Sequence, residues 1–139
     1  MSYLLDTCVL SELVKAHPAK GVVHWMEARD EHTLYLSALT IGELEKGIRK
    51  LAEGKKKELL EMWLQNDLLN RFNGRILPID EGVARVWGTL QADAEKKGRP
   101  LPVLDGLIAA TAKTHRFTVV TRNHVDMEAA GVLVLNPWS

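Results

Sequence analysis

The stretch YLLDT at residues 3–7 decides the fold that we predict for this chain. A short apolar run that ends in an acid and a hydroxyl predicts a buried β-strand, which stops where Asp6 emerges. In a parallel α/β sheet, ligand binding and chemistry collect just beyond the carboxyl ends of the strands. Asp6 therefore either caps the helix that follows it or is the first member of a functional site.

The rest of the chain alternates between strand and helix patterns. Further strands are predicted at residues 34–38, 75–79, 117–121 and 131–135, and helices at residues 8–15, 20–31, 40–52, 55–72, 80–97, 103–115 and 123–130. This alternation predicts a parallel sheet covered by helices. No repeat or linker interrupts the pattern, so we expect a single domain over residues 1–139. The helix at residues 103–115 is nearly all apolar, and we expect it to be buried in the centre of the fold.

The composition, 46% hydrophobic and 26% charged, is typical of a globular protein. The single cysteine, Cys8, excludes an internal disulfide and a cysteine-rich zinc site, which fits a reducing cytoplasm. The start of the chain lacks a signal-peptide pattern, and no apolar run reaches the roughly 20 residues of a membrane helix. We therefore expect a cytoplasmic protein without a membrane partner.

The formal net charge is zero, which by itself argues against a nucleic-acid partner. The basic residues are nevertheless clustered. One cluster comprises Lys46, Arg49, Lys50, Lys55, Lys56 and Lys57, and a second comprises Lys96, Lys97 and Arg99. Each cluster is either a solvated helix end or a set of phosphate contacts beside an acidic centre, and charge alone does not decide between them.

Acidic and amide side chains recur at the predicted junctions between strands and helices. The residues concerned are Asp6, Glu43, Asp105, Asn123 and Asp126. Because helices in right-handed crossovers run antiparallel to the strands they connect, helix starts and strand ends lie at the same edge of the sheet. The order of the elements therefore predicts that these side chains converge.

Each of these residues can also be explained as a helix cap. The pair Thr40 and Glu43 matches a capping box, and Asp105 lies where the helix dipole favours an anion. Asn123 and Asp126 match a cap pair, and Asp6 can cap its own helix. The hydroxyls at the strand ends either cap helices or orient water and ligands; they belong to Thr7, Ser37 and Thr121.

Two features favour a metal site over caps alone. Asp105 interrupts a run that is otherwise apolar or small, and no lysine or arginine lies nearby in sequence to offset its charge. Several carboxylates at one edge also repel one another unless a cation joins them. Oxygen ligands without cysteine or histidine at metal spacing favour Mg²⁺ or Mn²⁺ over zinc. Such an ion suits phosphodiester hydrolysis by a metal-activated water.

Several longer motifs resemble a known family. They are LLDTCVLSEL, LYLSALTIGELEKGI, PLPVLDGLIAATAKTH, VVTRNHVDM and the closing NPW. In this order they resemble the PIN-domain ribonucleases, and more narrowly the VapC toxins of type II toxin–antitoxin pairs in the FitB-like branch. The resemblance extends over essentially the whole chain.

The resemblance implies a three-layer α/β/α sandwich with a central parallel sheet and Mg²⁺- or Mn²⁺-dependent endoribonuclease activity. It implies a homodimer and a VapB-like cognate antitoxin, which blocks the site and through which alone the protein would meet operator DNA. The apolar stripe of the helix at residues 55–72, beside the helix at 40–52, is a candidate contact for a subunit or the antitoxin. We expect most of this stripe to be core.

Carried over by position, Asp6 and Asp105 are the principal metal ligands and Glu43 completes the acidic core. Where many members have Asp or Asn after the TR pair, this chain has Asn123, so direct charge is lost at that place, and Asp126 is the candidate to take over or to act through water. Candidate RNA contacts, which would bind a tRNA or rRNA substrate, are Arg49, Lys50, Lys55 and Arg122. Cys8 departs from the asparagine common after the DT pair, and we interpret it as a small buried side chain.

Three other functions are compatible with parts of the sequence. A metal-free ribonuclease would use histidines, but only His124 lies near the predicted edge. An aspartyl phosphatase would need a second acid two residues beyond Asp6, where the chain has Cys8. A non-catalytic domain that binds nucleic acid or a protein partner would use its acids only as caps.

Overall fold

The computed structural model describes residues 1–139 and contains a five-stranded parallel sheet in the order β3-β2-β1-β4-β5. The strands are β1 (Tyr3–Leu5), β2 (Leu34–Ser37), β3 (Ile76–Leu77), β4 (Thr118–Val120) and β5 (Val134–Leu135). Strand β1 lies at the centre, where Tyr3 is in register with residues of both β2 and β4. Strands β2 and β3 follow on one side of β1, and β4 and β5 are then added on its other side. Ligand sites in parallel sheets form at such a reversal of strand order.

Eight α-helices connect and cover these strands. They are α1 (Thr7–Leu13), α2 (Lys20–Glu27), α3 (Ala38–Arg49), α4 (Lys55–Met62), α5 (Leu69–Arg71), α6 (Glu81–Lys96), α7 (Val103–His115) and α8 (His124–Ala129). A π-helical segment, Trp63–Leu68, joins α4 to α5, and a 3₁₀ turn, Glu31–Thr33, precedes β2. None of the helices combines the length and apolarity needed to cross a bilayer.

Two hydrophobic cores lie against opposite faces of the sheet. Successive strand residues point to opposite faces, so Leu5 belongs to one core and Leu4 to the other. The first core takes Phe72 from the end of α5, and the second takes Ile108 from α7. All four side chains are buried to 1% exposure or less. The result is the predicted three-layer α/β/α sandwich.

The ends of several predicted elements were wrong. Helix α3 begins at Ala38, two residues before the predicted start, because the Ser37 hydroxyl accepts a hydrogen bond from the Leu39 N–H at 3.0 Å. Helix α2 ends at Glu27 instead of continuing to residue 31, where the chain forms the 3₁₀ turn. The middle of helix α7 is buried as expected, since residues 108–112 are all exposed to 1% or less. Its start is not, because Val103 is 56% exposed.

Candidate active site

Asp6 follows β1 directly and is held by hydrogen bonds at both carboxylate oxygens. Its backbone N–H continues the sheet by donating to the Val120 carbonyl at 3.0 Å. The Thr7 N–H donates to Oδ1 and the Thr121 hydroxyl donates to Oδ2, both at 2.8 Å. Asp6 therefore caps α1 and also presents a fixed carboxylate at the sheet edge, and only 8% of the residue is exposed.

Glu43 lies in α3 and reaches toward α1 instead of back to its own helix end. The Thr7 hydroxyl donates to Glu43 Oε1 at 2.7 Å, and a second hydrogen bond of 3.2 Å joins the hydroxyls of Thr7 and Thr40. The alternative interpretation of Thr40 and Glu43 as a capping box was wrong, because Ser37 is the cap and Thr40 is buried within the helix. The Glu43 carboxylate is thus available for a site.

Asp105 lies in the first turn of α7 and meets Asn123 at the start of α8. The Asn123 side-chain amide donates to Asp105 Oδ2 at 3.0 Å, and its backbone N–H donates to the Thr121 hydroxyl at 2.9 Å. Asn123 occupies the cap position of α8, but its side chain makes no capping hydrogen bond. The cap pair expected from Asn123 and Asp126 was therefore wrong.

The surroundings of Asp105 disfavour its charged form. Partial burial raises the pKa of the Asp105 carboxyl first, and the charges of Asp6, Asp126 and Glu43 raise it further. The hydrogen bond from Asn123 opposes this shift in the Asp105 pKa. A bound cation would reverse the effect of the neighbouring acids, since an opposite charge stabilises the carboxylate.

These side chains open onto one cavity, which we call the acidic cavity. It has a volume of about 390 Å³ and is lined by Asp6, Thr7, Cys8, Glu43, Asp105, Arg122 and Asn123. Three acids from distant parts of the chain therefore share one space, as their positions in sequence predicted. Thr121 lies buried behind Asp6, Ser37 serves only as the cap of α3, and Asp126 stands outside the lining.

A model of the PIN domain family matches residues 3–131 of the chain. The chain belongs to the PIN domain family. Toxin FitB of Neisseria gonorrhoeae is 44% identical over 97% of each chain, and VapC ribonuclease Y4jK of Sinorhizobium fredii is 42% identical over 97% of this chain and 96% of its own. The solved structure of FitAcB from Neisseria gonorrhoeae superposes with a TM-score of 0.94 at 43% identity, covering 98% of each chain.

The donor set of this PIN domain suits a divalent cation of the magnesium type. The three lining acids, Asp6, Glu43 and Asp105, offer only oxygen atoms, and each is oriented by a hydrogen bond. No group of three histidine, cysteine, aspartate or glutamate side chains is placed so that it could by itself hold a metal ion. Mg²⁺ does not require such a group, because it keeps several waters and uses one or two carboxylates. The residues present fit such an ion.

Cys8 lines the acidic cavity of the PIN domain as a thiol. Its Sγ lies 3.6 Å from the Thr121 hydroxyl. Burial raises the pKa of the Cys8 thiol, although hydrogen bonds from Arg122 and Thr121 oppose that shift. A thiol with a raised pKa is a poor nucleophile. Cys8 packs against the first core, but it is half-buried and not fully buried as predicted.

The basic residues predicted to contact RNA differ in their surroundings. Arg49 pairs with Glu45 at 3.3 Å, and Lys50 lines a shallow cavity that also includes Glu43. Lys57 was grouped with them but is buried, where it donates to Glu53 Oε1 at 2.7 Å and to the Arg49 carbonyl at the end of α3. Lys57 is thus a structural residue of the helix end.

The sequence pattern did not predict that the Thr40 hydroxyl contacts Thr7, or which residues Arg122 contacts. Arg122 lines the acidic cavity and also contacts Glu12 and Trp138. Its only signal in the sequence was its position directly after β4, between two residues already assigned to the site. The partners lie 110 and 16 positions away in sequence, so no local pattern indicates them.

Proposed function

We propose that this PIN domain is a metal-dependent endoribonuclease, the toxin of a type II toxin–antitoxin pair. The observation that carries the proposal is the acidic cavity, in which Asp6, Glu43 and Asp105 meet from three separate parts of the chain. Relatives over 40% identical are named as a toxin and as a ribonuclease. Neither the residue roles nor the metal follow from those names, and both are part of the proposal.

In this proposal Asp6, Asp105 and Glu43 hold the ion, Mg²⁺ or alternatively Mn²⁺, in part through the waters that such an ion keeps. The ion would stabilise negative charge on the phosphate and lower the pKa of an attacking water. Thr7 and Thr121 fix the carboxylates of Glu43 and Asp6. Asp126 contributes as the fourth catalytic acid through its charge, which already acts on the pKa of Asp105.

The Asn123 amide orients Asp105 from the place where the fourth acid of the family is expected. A neutral amide there leaves the lining of the cavity with three acids instead of four, which limits the repulsion of an entering phosphodiester. In this proposal Asn123 is a positioning residue, and Asp126 supplies negative charge from outside the lining.

The proposed substrate is RNA, with tRNA or rRNA as the class. A relative from Shigella flexneri, 27% identical over the whole of this chain, is named as a tRNA(fMet)-specific endonuclease. Arg49, Lys50, Lys55 and Arg122 are the proposed contacts to the phosphate backbone, which supplies most of the affinity of such complexes. With a net charge of zero, the protein would depend on these local clusters for RNA binding.

The proposed partners are a cognate VapB-like antitoxin and a second copy of the chain. Solved relatives are described as FitAB bound to a DNA fragment and as FitAcB. We place the antitoxin in a groove of about 850 Å³ between α1, α3 and α4, which we call the apolar groove. Operator DNA would be bound only through the antitoxin. We propose that residues 1–139 form a single domain that makes all these contacts. We further propose that the protein acts in the cytoplasm.

The test is a cleavage assay with the purified protein on a pool of tRNAs and rRNA. We expect fragments with Mg²⁺ or Mn²⁺ and none with EDTA, and we expect the cognate antitoxin to suppress cleavage. RNA binding without cleavage in every metal would contradict the nuclease proposal and would favour a non-catalytic binding domain.

A further inference from the structure

Arg122 is the only cationic side chain among the residues that line the acidic cavity. It follows β4 and Thr121 directly, and 57% of its side chain is exposed. A phosphodiester group entering this cavity meets the carboxylates of Asp6, Glu43 and Asp105, which repel it. A fixed positive charge in the lining would offset that repulsion and would select for phosphate.

The guanidinium group of Arg122 is held on two sides. Its central carbon lies 4.3 Å from the centre of the Trp138 ring, a cation–π contact, and NH2 lies 3.4 Å from Glu12 Oε1. Arginine has five N–H donors in a planar fork, and Arg122 makes no other side-chain hydrogen bond. The remaining donors can bind a pair of phosphate oxygens, for which the fork has the right geometry.

Glu12, the carboxylate behind Arg122, is itself fixed. It is buried, and it accepts hydrogen bonds of 2.9 Å from both the Lys15 ammonium and the Ala19 N–H. The Lys15 hydrogen bond is the main reason why the pKa of Glu12 is lowered, so that Glu12 remains charged near neutral pH. Glu12 therefore restrains Arg122 at the mouth of the cavity without access to solvent or substrate of its own.

The tail that carries Trp138 is docked closely on the start of α2. A Cβ at Gly21 would collide with the Pro137 carbonyl oxygen, so only glycine at position 21 lets the tail lie this close to α2. The Trp138 N–H donates to the Asn136 side chain at 2.9 Å, and the ring packs against the first core. The end of the chain thus presents a fixed aromatic face to Arg122.

We propose that Arg122 binds the phosphodiester group of the RNA at the acidic cavity, and that Trp138 and Glu12 position its guanidinium for that contact. The inference rests on the proposed nuclease function and extends it to substrate positioning. In this proposal Trp138, in the closing NPW residues, has a role in substrate binding in addition to its packing.

The first test measures RNA binding without cleavage, in Asp105→Asn protein with Mg²⁺. The probe is a fluorescein-labelled single-stranded RNA of mixed sequence, followed by anisotropy over a series of KCl concentrations. Adding Arg122→Ala should weaken binding about tenfold, because a charged hydrogen-bonding group is lost. It should also reduce the slope of log Kd against log salt by about one. Arg122→Lys should recover the slope but only part of the affinity.

Arg29→Ala is the matched control, because Arg29 also stacks on a tryptophan, 5.1 Å from the Trp25 ring, but lies after α2 and outside the cavity lining. Equal salt slopes and affinities for the Arg122→Ala and Arg29→Ala proteins would overturn the inference while leaving the nuclease proposal intact. Both proposals would be overturned if the Asp105→Asn protein that retains Arg122 did not bind RNA and the unmodified protein did not cleave it.

The second test addresses positioning by Trp138. Trp138→Ala should weaken RNA binding about threefold when Arg122 is present and should have no further effect in Arg122→Ala protein. Trp138→Phe keeps an aromatic face and should preserve most of the affinity, which separates stacking from packing. Equal losses from Trp138→Ala in both backgrounds would show that the tryptophan acts on the fold and not through Arg122.

Discussion

The acidic cavity and the apolar groove are neighbours that share two residues, Thr7 and Glu43, yet they differ in almost every other respect. The acidic cavity is small and is lined mainly by charged and polar side chains fixed by hydrogen bonds. The apolar groove has about twice its volume, about 850 Å³ against about 390 Å³. Its apolar lining comes from helices α3 and α4 and from the residues that follow α1, α3 and α4, and it includes Val14, Ala16, Leu44, Ile48, Leu51, Leu59, Leu60 and Trp63.

The difference separates two requirements of the proposed function. Hydrolysis needs oxygen ligands in a fixed arrangement, which the ends of parallel strands supply. Partner binding needs contiguous apolar area, which exposed helix residues supply. Because Glu43 borders both spaces, a polypeptide seated in the apolar groove would extend directly to the acids. Inhibition by an antitoxin can therefore operate by occlusion, without a change in the fold.

The largest expected effect lies in the acidic cavity alone. Asp6→Asn or Asp105→Asn should reduce cleavage by more than about 100-fold, because even a residue behind a metal ligand typically contributes 10- to 100-fold. Antitoxin binding should change far less than cleavage, because most of the proposed contact lies in the apolar groove. The readouts are initial cleavage rates and calorimetric titration with the antitoxin.

Asp80→Asn is the control for that experiment, since Asp80 is an acid that only caps α6, through the Val83 N–H at 3.0 Å. Cleavage by the Asp6→Asn and Asp105→Asn proteins within tenfold of the unmodified protein would contradict the assignment of these residues as ligands.

A change confined to the apolar groove should show the opposite pattern. Leu59 lines the groove and is 56% exposed, so Leu59→Asp should leave the fold and cleavage intact. It should weaken antitoxin binding by about 30-fold, the cost typical of losing a central apolar contact at an interface. Leu133→Asp is the control, because Leu133 is 69% exposed and lies outside both spaces. An antitoxin affinity that is unchanged by Leu59→Asp would contradict the proposal that the antitoxin binds in the apolar groove.

Thr7, one of the two residues shared by the two spaces, should affect cleavage moderately. Thr7→Val removes the hydroxyl that donates to Glu43 but keeps the shape of the side chain. We expect cleavage to fall about tenfold, in the range for residues that orient a metal ligand. Thr7→Ser keeps the hydroxyl and should retain most of the activity. If the two variants were equally active, the hydrogen bond to Glu43 would not matter for the site.

The smallest effect concerns the stability of the metal-free protein. The raised pKa of Asp105 means that the folded protein binds the proton more tightly than the unfolded chain does. Stability should therefore fall as the pH rises from the ordinary aspartate pKa of about 4 through the raised value. In EDTA, Asp105→Asn should remove this loss and raise the melting temperature at neutral pH by about 2 °C. Thermal melts across this pH range measure it.

The outcome of those melts distinguishes the two spaces again. Mg²⁺ should cancel the advantage of Asp105→Asn, because an ion in the acidic cavity offsets the charge that the substitution removes. Leu59→Asp, in the apolar groove, should show no such response to Mg²⁺. The difference in melting temperature between the Asp105→Asn protein and the unmodified protein should change with pH. A difference that stays constant across the pH range would contradict repulsion among the acids.

Much of the fold and the identity of the acids could be predicted from sequence, because both depend on local patterns. Apolar runs indicated β1, β2 and β4, and the order of strands and helices placed Asp6, Glu43 and Asp105 at one edge. The capping assignments could not be predicted in the same way. Ser37 and Thr40 are both acceptable caps in sequence, and only the packing of α3 selects Ser37.

The sequence by itself determined a parallel, helix-covered sheet and an edge with several acids, because strand and helix periodicity and the polarity of connections are local properties of the chain. Only the tertiary structure decided how each carboxylate is held and which cation stands beside it. The pairs concerned are Thr121 with Asp6, Thr7 with Glu43, and Arg122 with Glu12, which are separated by 115, 36 and 110 positions. Such pairs depend on strand order and helix packing, which many side chains fix together and which no short segment encodes.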